Sequence, residues 1–384
     1  MQQIIVGAAV AFFISFYFIP ILIELAKSKQ LVDIPDDRKI HKDPVPRFGG
    51  IGIFAGFLFS LLLSASITNS FLEFQYLIAA FLIVFFLGVG DDIMILSPLK
   101  KFTGQLAASF ILIVKGHLLI NNLHGFLGIQ EIPVLISYML TYFTIVVIIN
   151  AINLIDGIDG LAGSLSLIST LLFGSWFYIN GDLAYSLIAF TLAGSVVAFL
   201  YYNFNPAKVF MGDSGSLMLG LINAILVIRF INTAPTAVNF AAISSPAVGF
   251  GLLMIPLMDT LRVFCIRLSK RRSPFFPDRN HIHHLFLDKG FSSRATTLIL
   301  ASLSLCFSLL SFVCSSFDTT ALIGMQAVTF FAVVYVLWSY QPVQVRVRKS
   351  QAGNIIIEGT ERRSNFITIF YKRDKTVRTE KLIE

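Results

Sequence analysis

Apolar runs of roughly 20 residues recur through most of this 384-residue chain, and a helix of that length crosses the hydrocarbon core of a bilayer. Only 13% of the residues are charged, about half the share typical of soluble domains. The sequence therefore predicts an all-α polytopic integral membrane protein with about eleven transmembrane helices. The predicted spans are 4–25, 49–68, 75–90, 102–120, 132–149, 161–179, 183–202, 214–231, 246–265, 296–315 and 321–340.

Basic residues divide sharply between the two sides of this predicted topology. All of the 29 Lys and Arg residues except Lys115 and Arg229 fall in the C-terminal tail or in, or beside, alternate loops. Basic loops stay on the cytoplasmic side, so the N-terminus is predicted outside and the C-terminus inside. The net charge of +7 thus reflects membrane topology, and nucleic acid is not an expected partner.

Two domains follow from this pattern: a transmembrane domain over 1–340 and a cytoplasmic tail over 341–384. Val343, Val345 and Val347 alternate with polar residues, and apolar segments recur at Ile355–Ile357 and Phe366–Tyr371. An alternation of period two predicts a small β-rich tail. A partly ordered, solvated tail without a function is the alternative.

Paired acids close the third predicted span. Asp91 and Asp92 stand together at the membrane edge, shortly before Lys100 and Lys101. Adjacent carboxylates repel each other and lose hydration at such an edge, so a cation is expected beside them, either Mg²⁺ or a lysine. A solvated helix end is the alternative.

Polar side chains recur at every third position where the fifth span ends. They are Asn150, Asn153, Asp156 and Asp159, with glycines interrupting the segment. A membrane tolerates a helix broken by glycine only beside protein or a water-filled cavity, and acids at such a place are usually functional. A simple polar cap would explain one aspartate but not all four groups.

A glycine-rich segment, Gly212-Asp213-Ser214-Gly215-Ser216, opens the eighth span, and Asn205 precedes it. Asp213 could simply cap the helix. The glycines would also let backbone amides approach a phosphate at the helix N-terminus. Both interpretations stay open from the residues alone.

The long basic loop after the ninth span contains Arg279, His281, His283 and His284. Three histidines suggest zinc, but no cysteine is near and the surrounding arginines repel a bare cation. Imidazoles and guanidiniums suit a pyrophosphate better.

A basic turn from His41 to Gly50 contains Arg47 and leads into small residues suited to close helix packing. It could contact a lipid phosphate or act as an ordinary juxtamembrane anchor.

Taken in this order, the motifs resemble those of the polyprenyl-phosphate N-acetylhexosamine-1-phosphate transferase family, glycosyltransferase family 4, over residues 1–340. The histidine segment is similar to the WecA/TagO-like branch, which uses UDP-N-acetylglucosamine. In the peptidoglycan branch the histidines continue into Phe-Glu, where this chain has Leu285-Phe286-Leu287. Many members also extend the paired acids to Asp-Asp-x-x-Asp, but the last position here is Ile95.

The resemblance implies transfer of N-acetylglucosamine-1-phosphate, or a related N-acetylhexosamine-1-phosphate, from a UDP-sugar to undecaprenyl phosphate, releasing UMP. This would initiate the synthesis of a cell-envelope polysaccharide, such as lipopolysaccharide or teichoic acid, at the cytoplasmic face of the bacterial inner membrane. The expected partners are the UDP-N-acetylhexosamine and the lipid, with a homodimer left open.

The resemblance also implies roles for individual residues. Catalytic roles fall to Asp91, Asp92, Asp156 and Asp159. Mg²⁺, with Mn²⁺ as an alternative, would be held near Asn153 and Asp213. Substrate binding falls to Arg47, Lys101, Asn205, Arg279, His281, His283 and His284.

An alkyl phosphate has a second pKa near ~6, so the lipid phosphate is already an anionic nucleophile at neutral pH. Direct attack is favoured, and a route through an aspartyl-phosphate stays open.

Three alternatives remain at this point. A phospho-N-acetylmuramoyl-pentapeptide transferase of peptidoglycan synthesis would share the same chemistry with a different donor. A secondary transporter also uses broken helices and intramembrane acids, but its site lies near the bilayer midplane. A structural envelope scaffold would leave the acids and histidines unexplained.

Overall fold

The computed structural model describes residues 2–29, 44–68, 71–204, 206–273, 278–340, 345–349 and 355–359. Thirteen α-helices follow one another in this part of the chain. They are α1 (Gln2–Ser28), α2 (Gly49–Thr68), α3 (Phe71–Met94), α4 (Pro98–Phe110), α5 (Val134–Ile155), α6 (Leu161–Ile179), α7 (Leu183–Asn203), α8 (Gly212–Thr233), α9 (Ser245–Leu252), α10 (Met254–Ser269), α11 (Ile282–Asp288), α12 (Ser293–Val313) and α13 (Thr319–Ser339). A π-helical turn, Ile111–Lys115, continues α4.

The helices confirm the all-α polytopic class. Among the described residues, eight helices are long and apolar enough to cross a membrane: α1, α3, α5, α6, α7, α8, α12 and α13. The bent pair α9 and α10 would make a ninth span. The predicted spans 49–68 and 102–120 coincide with α2 and with α4 plus its π-helical turn, but neither meets the same criterion. A count of eleven crossings therefore stays a prediction.

The ninth predicted span, 246–265, is not one straight helix. The axes of α9 and α10 meet at 81°. Pro256 stands in the first turn of α10, where its missing N–H costs nothing, but the proline ring would clash with the carbonyl four residues earlier if α9 continued. The break follows from this proline, which the apolar run had concealed.

α8 forms the centre of the bundle and is buried along almost its whole length. α2, α3, α5, α6 and α9 all pack against it. Small residues allow this closeness, since a Cβ on Gly50 of α2 would overlap the backbone of Gly215. Packing of this kind drives helix association in lipid and holds the start of α8 in a fixed position. The small-residue packing predicted at Gly50 is confirmed.

Two strands, β1 (Val345–Lys349) and β2 (Ile355–Gly359), pair antiparallel with Val347 opposite Ile357. The apolar segment Phe366–Tyr371 lies outside the described residues. A β-rich tail larger than this hairpin stays a prediction.

Candidate active site

Lys101 joins the paired acids at the end of α3 to the glycine-rich segment that opens α8 through one ammonium group. Its Nζ lies 2.7 Å from Asp91 Oδ2 and 2.5 Å from Asp213 Oδ2. The other oxygen of Asp91 accepts a hydrogen bond from the Leu96 amide at 2.7 Å. The three charged side chains are at most 26% exposed, so solvent screens their attraction only in part. Of the two cations expected beside the paired acids, the lysine is present next to Asp91.

Asp92 faces the N-terminus of α8 instead. Its Oδ1 accepts from the Asp213 amide at 2.7 Å and its Oδ2 from the Ser214 amide at 3.0 Å. Gly212 has φ +71°, and a Cβ there would overlap the Asp92 carboxylate and the Arg47 carbonyl. The helix therefore receives its capping carboxylate from α3. The interpretation of Asp213 as its own helix cap is wrong, because the cap position is Met211 and no side chain of the segment caps it.

The polar segment at the end of α5 lies next to the same aspartate, Asp213. Asn153 Nδ2 donates to Asp213 Oδ1 at 3.1 Å and to Ser216 Oγ at 2.8 Å. One turn earlier, Asn150 Nδ2 donates to Gln105 Oε1 at 2.8 Å, which ties α5 to α4. Three motifs separated in sequence thus converge on Asp213.

Asp156 and Asp159 follow α5 but differ in their surroundings. Burial raises the pKa of Asp156 to about 7, and the charges of Asp213 and Asp92 act in the same direction. The protonated form of Asp156 is therefore favoured more than in an exposed aspartate. Asp159 is buried, and its Oδ2 accepts from the Ala207 amide at 3.1 Å. Asp159 thus fixes the segment that leads into α8.

The loop 156–160 between α5 and α6 contains Asp156 and Asp159 and is the acid-bearing loop. The histidine segment packs on this loop through His283. This side chain is only 1% exposed, and a Cβ on Gly157 would overlap its imidazole. Its ring lies parallel to that of His281, with centroids 5.7 Å apart, and 4.3 Å from the ring of His284. Glycine at 157 therefore lets the histidine segment contact the residue next to Asp156.

His283 is neutral at physiological pH, because burial, and then repulsion from His284, lowers its pKa to about 3. Within the described part of the chain its Nδ1 is buried without a hydrogen-bond partner. A buried polar atom of this kind costs free energy unless a ligand satisfies it. His283 is thus suited to bonding an uncharged polar group.

Two of the remaining predicted residues, Arg279 and Arg47, lie at the margin of this cluster. Arg279 is exposed, with its guanidinium 3.9 Å from Asp288. The Arg47 carbonyl lies against Gly212, so this turn borders the start of α8. Asn205 lies outside the described residues.

Two acids that sequence reasoning missed anchor the histidine segment. Asp259 on α10 is fully buried and bonds His281 Nδ1 at 2.8 Å. Asp278 accepts two bonds from Arg267, at 3.1 and 3.0 Å. Although burial works against it, pairing with Arg267 lowers the pKa of Asp278 to about 2. Asp259 lies inside a predicted span, and that position was itself a signal of function.

Oxygen donors dominate the cluster, which suits a hard cation such as Mg²⁺. No three His, Cys, Asp or Glu side chains in the described part of the chain form a metal-ligand group. The carboxylate of Asp213 and the amide of Asn153 nevertheless supply fitting donor chemistry at the point where the motifs meet.

The chain forms a polytopic bundle in which acids, a lysine and histidines lie close together. This combination is typical of membrane-embedded transferases. The model of the family described as glycosyl transferase family 4 matches residues 74–231. The chain is 33% identical, over 82% of its length and 86% of the relative's, to a probable undecaprenyl-phosphate N-acetylglucosaminyl 1-phosphate transferase of Bacillus subtilis. This chain belongs to glycosyl transferase family 4, and the resemblance seen in its motifs is confirmed.

Two further relatives extend the comparison. An undecaprenyl-phosphate alpha-N-acetylglucosaminyl 1-phosphate transferase of Escherichia coli O157:H7 is 32% identical over 72% of this chain and 74% of its own. A decaprenyl-phosphate N-acetylglucosaminephosphotransferase of Mycobacterium tuberculosis is 32% identical over the same shares. The two names differ in the length of the lipid and agree on the sugar.

Proposed function

We propose that this chain transfers N-acetylglucosamine-1-phosphate from UDP-N-acetylglucosamine to undecaprenyl phosphate and releases UMP. The names of the relatives support the reaction. The observation in this chain that best supports the reaction is the contact of Lys101 with both Asp91 and Asp213, where the family motifs converge. A cation held between two acids, together with a neutral histidine packed on the loop that follows α5, is an arrangement that can receive phosphate groups and a sugar.

Lys101 has the central role in bringing the two phosphates together. The lipid phosphate needs no strong base, since it is already anionic at neutral pH. One of its oxygens attacks the phosphorus that bears the sugar, and the bond from that phosphorus to the bridging oxygen of UMP breaks. The main barrier is repulsion between anions, which fixed positive charges lower. The sugar C1–O bond stays intact throughout.

Asp213 and Asn153 would hold Mg²⁺, or Mn²⁺ in its place. The ion would supply positive charge to the diphosphate of the donor. Asp92 keeps the Asp213 backbone in place through its two amide hydrogen bonds. Asp91 holds the other side of Lys101. Of the paired acids, Asp91 thus holds Lys101, and Asp92 holds the start of α8, where the ion would bind.

The histidine segment would bind the donor sugar. A neutral imidazole can bond hydroxyl groups or an acetamido oxygen, whereas a guanidinium pairs with phosphate. His283 fits the first role, and exposed Arg279 fits the second. No observation favours the muramoyl-pentapeptide donor over N-acetylglucosamine.

The active site would face the cytoplasm, with eleven crossings, the N-terminus outside and the C-terminus inside the bacterial inner membrane. The bias of basic residues supports this orientation. The loops that contain the basic residues also contain or border the motifs whose side chains lie together in the structure. A homodimer stays a prediction.

Donor labelled with ³²P at the sugar-bearing phosphate tests this function. With purified protein and undecaprenyl phosphate, the label should enter the lipid and unlabelled UMP should be released. Release of labelled UDP with an unlabelled lipid would contradict phosphosugar transfer. Solute uptake by vesicles without any UMP release would instead support the transporter alternative.

A further inference from the structure

Asp259 stands apart from the motifs that the reaction uses, yet it bonds two consecutive residues of the histidine segment, His281 and Ile282. Its carboxylate is fully buried on α10. One oxygen, Oδ2, bonds His281 Nδ1 at 2.8 Å. The other, Oδ1, accepts from the Ile282 amide at 2.8 Å and from Arg262 at 3.0 Å. Every partner lies on α10 or at the start of α11.

We propose that Asp259 is a positioning residue that fixes His281 in one tautomer and orientation for the UDP-sugar. An ionised carboxylate only accepts hydrogen bonds, so Nδ1 of His281 must carry the proton. Nε2 is then the nitrogen through which His281 can bond the donor. Carboxylates that orient functional imidazoles in this way are a recurring device in enzymes.

The bond to the Ile282 amide extends this control to the backbone. His281 is the cap residue of α11, and Ile282 is its first helical residue. Fixing this amide sets where the helix starts, and His283 follows on the next residue. Since His283 packs against Gly157, Asp259 also sets the distance between the histidine segment and the acid-bearing loop.

A second pair supports the other end of the segment. Arg267 is 2% exposed and donates two bonds to Asp278, and Asp278 also accepts from the Asn280 side chain at 2.7 Å. Both ends of the short stretch 278–282 are therefore attached to α10. Among the described hydrogen bonds, the one to the His281 ring comes from Asp259, and the ring of His283 lies parallel to it at 5.7 Å.

The inference rests on the proposed function in taking the UDP-sugar as the ligand. Its test compares Asp259→Asn with Asp182→Asn in the full-length, detergent-purified chain. Asp182 is a matched control because it also pairs with an arginine, Arg229 at 2.8 Å, and caps a helix through the Tyr185 amide. It precedes α7, one membrane crossing away from the site.

Asp259→Asn should raise KM for UDP-N-acetylglucosamine about 10- to 100-fold, the range of a lost hydrogen bond to a charged group. KM for undecaprenyl phosphate should change less than about threefold, since the proposal assigns His281 to the UDP-sugar and not to the lipid. Both variants should lower the melting temperature, but Asp182→Asn should leave both KM values unchanged. Equal effects of Asp259→Asn on the two substrates, or the same change in the control, would overturn the proposal.

A double-mutant cycle isolates the part that acts through His281. In a His281→Ala background, adding Asp259→Asn should change donor KM less than about threefold. Independent, multiplying effects would show that Asp259 does not act through this histidine.

Nitrogen NMR of the wild-type protein decides the matter even if Asp259→Asn does not fold. With ¹⁵N-labelled histidine, and His281 assigned by its loss in His281→Ala, Nδ1 should be protonated. An unprotonated Nδ1 would exclude the proposed bond. Absence of any transfer by wild-type protein would refute the proposed function but leave this spectroscopic result valid.

Discussion

Replacement of Asp92 by asparagine tests how the paired acids divide their roles. The carboxylate accepts from two amides at the start of α8, at 2.7 and 3.0 Å. Asparagine has a single acceptor oxygen, and its NH₂ group would face the second amide. The change removes one hydrogen bond to a charged group, about 1.5–3 kcal/mol, and a favourable charge at a helix N-terminus, about 0.3–1 kcal/mol.

α8 is packed on all sides, so the helix should stay folded and the loss should appear as misplacement of Asp213. If this whole free energy is lost from stabilisation of the transition state, kcat should fall on the order of 100-fold. UMP release measures kcat, and thermal unfolding measures stability. Asp318→Asn is the control, because Asp318 caps α13 by accepting from the Ala321 amide at 2.8 Å. The control should lose some stability and keep normal turnover. Near-normal turnover in Asp92→Asn, and also in Asp213→Asn, would show that the active site is elsewhere.

Three further predictions concern the metal, the pH dependence and the tail. Activity should require Mg²⁺ or Mn²⁺ and vanish with EDTA, and full activity after exhaustive chelation would exclude metal assistance. The pKa of Asp156 is raised to about 7, in part by the charge of Asp213, so a cation bound at Asp213 should favour the ionised form of Asp156, and Mg²⁺ affinity should rise by up to about 10-fold from pH 6 to pH 8. Titrations of activity with Mg²⁺ should show this rise in the wild type but not in Asp156→Asn, and a rise retained in the variant would assign the proton to another group. A chain ending at Pro342 keeps the bond from Lys289 to the Trp338 carbonyl and should insert and stay active. Inserted, stable and inactive protein would show that the tail completes the site.

Much of the architecture could be predicted because lipid imposes simple rules. Apolar length located the helices, and acids that are costly near lipid marked the motifs. The meeting of Lys101 with Asp91 also followed from charge, since a cation was expected beside paired carboxylates. These inferences use local composition, which a sequence displays directly.

The parts that were missed depend on tertiary contacts. The role of Asp92 as the cap of α8 requires knowing that α3 and α8 lie side by side. Asp259 was overlooked because it was assigned to a predicted membrane span, 246–265. Likewise, the bend before α10 needed attention to Pro256 rather than to the mean hydropathy of the run. A local sequence pattern does not show which helices, distant in the sequence, contact each other in the fold.

Competition between two donors tests the central claim most directly. UDP-N-acetylglucosamine and UDP-N-acetylmuramoyl-pentapeptide are offered at equal concentration to the purified enzyme with undecaprenyl phosphate, and the lipid products are separated and quantified. The account predicts that the product is undecaprenyl-diphosphate N-acetylglucosamine, with no pentapeptide-bearing lipid. His283→Ala should weaken use of this donor by about 1–3 kcal/mol, the cost of an unpaired buried partner. Preferential transfer from the pentapeptide donor would contradict the account and place the chain in the peptidoglycan branch.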